Sequence, residues 1–226
     1  MDFIFMLTRD DRTVTDCLDV LGQVEGLGIR HIGFKDIGVD RDTLSQLHAR
    51  VRDMGATTYL EVVSTDRTQA LASVRTAVYL GVDRLMGGTW IDDTLGLLHG
   101  TSIGYLPFAG RPSGHPTTLG GTPESVAEDC RRAQEAGCAG VDLLAHRATE
   151  ADPLDLVRAA RAATTGRLVV AGSVTTERIG PLARAGADAV TIGSAAFDGS
   201  LAPRSGTLRA QLATAIEACA AAGEAA

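Results

Sequence analysis

The sequence holds no apolar run near the roughly 20 residues that a membrane-spanning helix needs. No membrane partner is expected. The apolar start, Phe3-Ile4-Phe5-Met6-Leu7, is too short for a signal-peptide core and lacks a basic flank. It therefore reads as a first strand, and a cytoplasmic location is the expectation. Positive charge is also scarce: 21 basic residues face 28 acidic ones, the net charge is −7, and no basic stripe is visible. General nucleic-acid binding is excluded on that ground, while an anionic substrate would need a local positive site. Cysteine is sparse and scattered (Cys17, Cys130, Cys138, Cys219), with no CxxC pair. The four read as reduced core or helix residues, and zinc-ligand spacing is missing. Lysine is nearly absent. Of the 21 basic residues, Lys35 is the one lysine and the rest are arginine. Lysine has a tunable pKa and can form an imine, and arginine does neither, so Lys35 is marked for chemistry.

What is present fits one architecture. With 45% hydrophobic and 22% charged residues, the chain is an ordinary globular one, too apolar for extended disorder. Glycines at 28, 55, 81, 100, 137, 166 and 186 each precede a β-rich run. Glycine suits the left-handed position that ends a helix. With the N-terminal strand, these junctions give eight strands. Between them, Val14–Val24, Arg41–Asp53, Thr68–Tyr79, Pro123–Glu135, Pro153–Ala163 and Thr176–Ala185 read as helices, and Leu208–Ala222 as the last. Thr122-Pro123 and Asp152-Pro153 are N-cap and first-turn pairs, and Thr175 or Thr176 is a further cap candidate. Strand–helix alternation implies a parallel sheet. Eight units within 226 residues imply a single (β/α)₈ TIM barrel over residues 1–226, with an open doubly wound sheet as the alternative. The longest non-helical stretch, 106–122, follows strand 5 and holds three prolines and four glycines. It is read as a lid, with Arg111 and His115 as its candidate substrate contacts; a passive or oligomer-contact loop is the alternative.

Active sites of such barrels lie at the C-terminal ends of the strands. Period-two alternation turns His31, Gly33 and Lys35 of strand 2 inward, with Tyr59 and Glu61 of strand 3 and Asp142, Leu144 and His146 of strand 6. Four ionisable groups, Lys35, Glu61, Asp142 and His146, thus converge near the mouth as candidate catalytic residues. Charge inside a barrel is costly unless paired, so an acid/base couple or a structural Lys35–Glu61 ion pair must explain it. Arg9, Asp10, Asp11 and Asp36 also sit at strand ends and either line the mouth or serve as loop caps. His48 and His99 read as surface residues. A metal set of Asp36, Glu61, Asp142 and His146 is opposed by Lys35, whose ammonium competes for the same carboxylates. Neither metal nor cofactor is expected.

The last two strands are the most specific feature. Strand 7 ends Val170-Ala171-Gly172-Ser173-Val174-Thr175-Thr176, and strand 8 runs into Thr191-Ile192-Gly193-Ser194-Ala195-Ala196-Phe197. This pair of turns resembles the phosphate-binding end of the ribulose-phosphate-binding barrel superfamily, which includes phosphosugar isomerases and epimerases. The resemblance implies that Gly172, Ser173, Gly193 and Ser194 bind a substrate phosphate through backbone N–H groups and a helix N-terminus. The sequence departs from the superfamily elsewhere. It lacks the two-histidine, two-aspartate metal set of the ribulose-phosphate epimerases and the D-x-K-x-x-D signature of the orotidylate decarboxylase group. The Lys35-Asp36 pair is similar to the I-x-K-R-D strand of the N-acylmannosamine-6-phosphate epimerases, one strand earlier.

Three readings follow. The first is a metal-independent isomerase or epimerase that moves a proton next to the carbonyl of a small phosphorylated sugar or keto compound. The second is a lyase or aldolase with Lys35 as Schiff base. The third is a barrel that only binds a phosphorylated metabolite. A homo-oligomer is compatible with each.

Overall fold

The structure is a computed structural model that describes residues 1–114 and 117–224. Eight parallel strands form its sheet: β1 (Asp2–Met6), β2 (His31–Phe34), β3 (Thr57–Val62), β4 (Arg84–Gly87), β5 (Gly104–Leu106), β6 (Gly140–Leu143), β7 (Arg167–Val170) and β8 (Ala189–Ile192). The hydrogen-bonded order runs β6-β7-β8-β1-β2-β3-β4-β5. An isolated bridge, Phe108 with Asp142, joins the two ends and closes a (β/α)₈ barrel. The helices are α1 (Cys17–Val24), α2 (Arg41–Asp53), α3 (Arg67–Leu80), α4 (Ile91–Leu98), α5 (Pro123–Glu135), α6 (Pro153–Ala163), α7 (Thr176–Ala185), the short α8 (Ser194–Phe197) and α9 (Leu208–Glu224).

Local chemistry explains these bounds. The Asp40, Asp66 and Asp152 carboxylates accept from backbone N–H groups in the first turns of α2, α3 and α6, and Thr122 forms a capping box with Ser125 at α5. Six of the seven junction glycines have positive φ; Gly166 does not. There α6 ends in an extended Thr164, whose hydroxyl accepts from the Gly166 N–H. Gly166 is thus a turn residue held by a side chain rather than a left-handed helix stop.

Two layers of side chains fill the molecule. Ile4, Met6, Tyr59, Met86, Leu106, Val169 and Ala189 form a small cluster inside the barrel. A larger one, including Ile32, Phe34, Leu60 and Val62, lies between sheet and helices. Tyr59 faces in while Leu60 and Val62 face out, the parity that strand alternation predicts. At the N-terminal end of the barrel Asp2 pairs with Arg167 at 2.6 Å, and the Tyr59 hydroxyl meets His31 Nδ1 at 3.2 Å.

Four features depart from the sequence reading. Helix α4 is additional to the helices named from sequence. His48 is buried, because it shares the inner face of α2 with Leu44, Leu47 and Val51 at helical spacing; His99 is exposed. A two-stranded antiparallel hairpin (Thr8–Arg9 with Arg12–Thr13) follows β1. A second hairpin (Arg111–Ser113 with Thr118–Gly120) lies within the stretch after β5. His115 lies outside the described residues. Among the described residues, no helix is long and apolar enough to cross a membrane.

Candidate active site at the barrel mouth

A cavity of about 260 Å³ opens at the C-terminal ends of the strands. Lys35 and Glu61, at the exits of β2 and β3, line it together with Asp11 from the first hairpin. The Lys35 Nζ lies 2.9 Å from Asp11 Oδ1 and 3.4 Å from Glu61 Oε2, and its side chain is 3% exposed. The two carboxylates pair with the buried amine and offset its loss of water.

Asp142 lies beneath this cluster. It is fully buried, and neither carboxyl oxygen has a hydrogen-bond partner among the described residues. Burial raises its pKa well above the usual carboxylate range, and the Glu61 charge adds to the rise; Lys35 and Arg147 pull the other way. Asp11 is the opposite case. Burial raises it, but the Lys35 and Arg147 charges and hydrogen bonds outweigh burial and bring it down to about 2.

The far wall is made by the turns after β7 and β8. Gly172, Ser173, Val174, Thr175, Gly193 and Ser194 all line the cavity. Gly172 (φ 86°) and Ser173 (φ 50°) are successive residues in the left-handed region, so the chain turns tightly where it lines the cavity. A Cβ on Gly172 would sit 2.8 Å from Arg147 Cγ, so only glycine lets the arginine stem lie across the turn. Thr175 occupies the N-cap position of α7, yet its side chain makes no capping bond, and α8 likewise has none. Helices α1 and α4 lack one too, so a missing cap does not by itself mark a site. What sets α7 and α8 apart is that the residues opening them line the cavity.

Of the residues expected at the site, Lys35, Glu61, Gly172, Ser173, Gly193 and Ser194 share this cavity, and Asp142 underlies it. His146 and Arg111 do not line it. Strand β6 stops at Leu143 and continues as a 3-10 turn, Ala145–Arg147, so period-two alternation ends before His146. Arg147 lines the cavity in its place. His146 is half-buried beside Arg178 and Asp152, and its pKa is lowered by burial and then by Arg178. Arg111 is exposed and pairs with Glu150 at 3.1 Å. Asp36, Glu61, Asp142 and His146 form no metal-holding group; among the described residues no such group of three or more His, Cys, Asp or Glu occurs. Asp11, Arg147 and Arg178 are members that strand periodicity does not reach, because Asp11 sits on a hairpin turn, Arg147 on the 3-10 turn after β6 and Arg178 in the first turn of α7. The Asp10-Asp11 pair just past a strand was their one sequence signal.

No protein-family model and no curated protein matches the sequence. Solved structures do match its fold. A 3-hexulose-6-phosphate synthase aligns over 98% of this chain and 99% of its own, at a TM-score of 0.66 and 16% identity. A 4-hydroxy-2-oxoglutarate/2-dehydro-3-deoxyphosphogluconate aldolase covers 96% and 94%, at 0.61 and 18%. A thiamine phosphate pyrophosphorylase from Pyrococcus furiosus covers 99% and 95%, at 0.63 and 15%. The chain has the barrel fold that the sequence resemblance implied. Those names belong to enzymes of phosphorylated small molecules, and at such identity the likeness is one of fold.

Proposed function

We propose that this barrel is an enzyme for a small phosphorylated carbonyl compound and that it moves a proton on the carbon next to the carbonyl, as an isomerase or epimerase. One observation carries the reading. A single cavity joins Lys35 and Glu61, with Asp142 buried behind them, to the glycine turns after β7 and β8. In this scheme the phosphate rests on Gly172, Ser173, Gly193 and Ser194, with Arg178 beside it. Glu61 takes the proton. The Lys35 ammonium stabilises the oxygen on which charge develops. Asp142, neutral beneath Glu61, tolerates a second charge only while it keeps its own proton. Glu61 then returns the proton it took to the enolate while Asp142 keeps its own throughout, so the pair never becomes a bare buried dianion.

The fold likeness to an aldolase keeps a second reading in view, in which Lys35 forms an imine. The ion pairs weigh against it, because a nucleophilic amine must first lose the proton that Asp11 and Glu61 hold on it.

The test is exchange in heavy water with a panel of ketose and aldose phosphates, run beside borohydride trapping. Deuterium should enter one panel member with no adduct on the protein. Lys35→Arg, which keeps the charge but replaces a point ammonium with a larger planar group that can neither give up a proton nor form an imine, should slow exchange by about a hundredfold or more. A borohydride-stable adduct on Lys35 moves the assignment to the lyase class. Phosphate binding with neither exchange nor adduct leaves a binding barrel.

A further inference from the structure

Lysine is a flexible four-carbon stem with a point charge, and a catalytic group must be held to within about half an ångström. Something must therefore fix Lys35, and the hairpin after β1 makes the relevant contacts. Its turn consists of Asp10 (φ 50°) and Asp11 (φ 57°), two adjacent non-glycine residues in the left-handed region. Such turns favour glycine, asparagine and aspartate. The third described residue of this kind, Ser173, lies across the same cavity.

From that turn the buried Asp11 carboxylate accepts from Lys35 Nζ at 2.9 Å, from Arg147 Nη1 at 3.3 Å and from the Thr117 N–H at 3.5 Å. The return strand holds the same lysine by its backbone. The Thr13 hydroxyl accepts from the Lys35 N–H at 2.8 Å and donates to the Lys35 carbonyl at 2.7 Å. Thr13 is itself anchored, its N–H donating to the Ile37 carbonyl at 2.9 Å. One hairpin thus grips both the main chain and the ammonium of one residue.

We infer that Asp11 is a positioning residue, which fixes the Lys35 ammonium beside Glu61 and over Asp142 and ties it to Arg147. The inference rests on the proposed reading only for the purpose of that placement; the grip itself stands on the contacts. Asp11 reaches the reaction through Lys35 and need not touch the substrate.

The lone lysine makes the test direct. Protein labelled with ¹³C-lysine gives one set of side-chain signals. A side chain held between two carboxylates should show two distinct ε-methylene proton shifts, because its environments do not average. Asp11→Asn keeps a residue that tolerates the left-handed turn and removes the charge. Asp11→Gly suits the turn better still and removes the carboxylate, so it guards against misfolding. In both variants the two proton shifts should merge. Acylation of Lys35 by an N-hydroxysuccinimide ester should quicken by roughly tenfold or more, the scale of losing one close opposite charge. Arg147→Gln should leave the two shifts apart. If either Asp11 variant, folded, keeps the separate shifts and the wild-type acylation rate, Asp11 does not position Lys35. No substrate is needed for this readout, so the two ideas fail separately. Merged signals with undiminished proton exchange would sink the catalytic role of Lys35 and leave the positioning intact. Retained signals, with exchange lost in Lys35→Arg, would do the reverse.

Discussion

Two acids of this site are linked to pH with opposite signs. Asp142 has a raised pKa in the folded protein, first from burial and then from Glu61. The native state keeps its proton where the unfolded chain has lost it, so above about pH 4 this group makes stability fall as pH rises. Asp142→Asn removes that dependence. Between pH 4.5 and 7 the variant should lose less stability than the wild type. Urea midpoints at the two pH values measure this. A more stable variant with slower proton exchange is the pattern of a residue kept for function. Asp11 is lowered to about 2, so it stabilises the fold above the unfolded value and loses that contribution as pH falls from about 4 to about 2. Asp11→Asn should therefore cost about 2 kcal/mol at pH 7, and the cost should vanish in acid, as midpoints along the same series would show. An equal cost at both ends would trace the loss to the turn rather than to the charge.

At the scale of elements, the turns after β7 and β8 carry the anion-binding half of the proposal, and Gly172 is its most exposed assumption. Its φ of 86° disfavours any side chain, and a methyl there would meet Arg147 Cγ at 2.8 Å. Gly172→Ala should weaken inorganic phosphate binding by about tenfold or more in calorimetry, while the barrel still unfolds in one transition. Unchanged affinity would place the phosphate elsewhere. The same elements show what a sequence can reveal. Capping pairs made α5 and α6 readable to the residue, and the glycines at 55 and 186 marked where α2 and α7 end, because helix-end signals are local chemistry. Inward parity at Tyr59 and Glu61 was readable because β3 is a regular strand six residues long. Asp11 was readable as a strand-end residue with two alternatives, lining the mouth or capping a loop, whereas Arg147 and the two hairpins were not, since each depends on how a turn leaves a strand. Strand β6 ends at Leu143 and turns as a 3-10 segment over Ala145–Arg147, so parity does not reach 146, and the cavity receives Arg147 and not His146.

At the scale of the whole molecule, the barrel is not uniformly closed. Seven of its eight strand junctions are ladders, while β5 meets β6 through one isolated bridge. Pro107 contributes to that seam, since it has no N–H and serves only as acceptor, taking the Asp142 N–H at 2.8 Å. The remaining main-chain bonds across the seam include Ala139 N–H to the Tyr105 carbonyl at 2.8 Å and Ala109 N–H to the Asp142 carbonyl at 3.1 Å. A protein opens first where few bonds must break together. The seam also carries Asp142, so the least supported junction of the barrel runs beside its costliest buried group. Native-state hydrogen exchange should therefore release the amides of Ala109, Ala139 and Asp142 before that of Leu7, which donates to the Gly33 carbonyl across the β1–β2 ladder. Asp142→Asn removes the buried acid and should slow exchange at those three amides more than at Leu7. Equal slowing everywhere would mean that they exchange only through global unfolding, and that the seam is as strong as the ladders beside it.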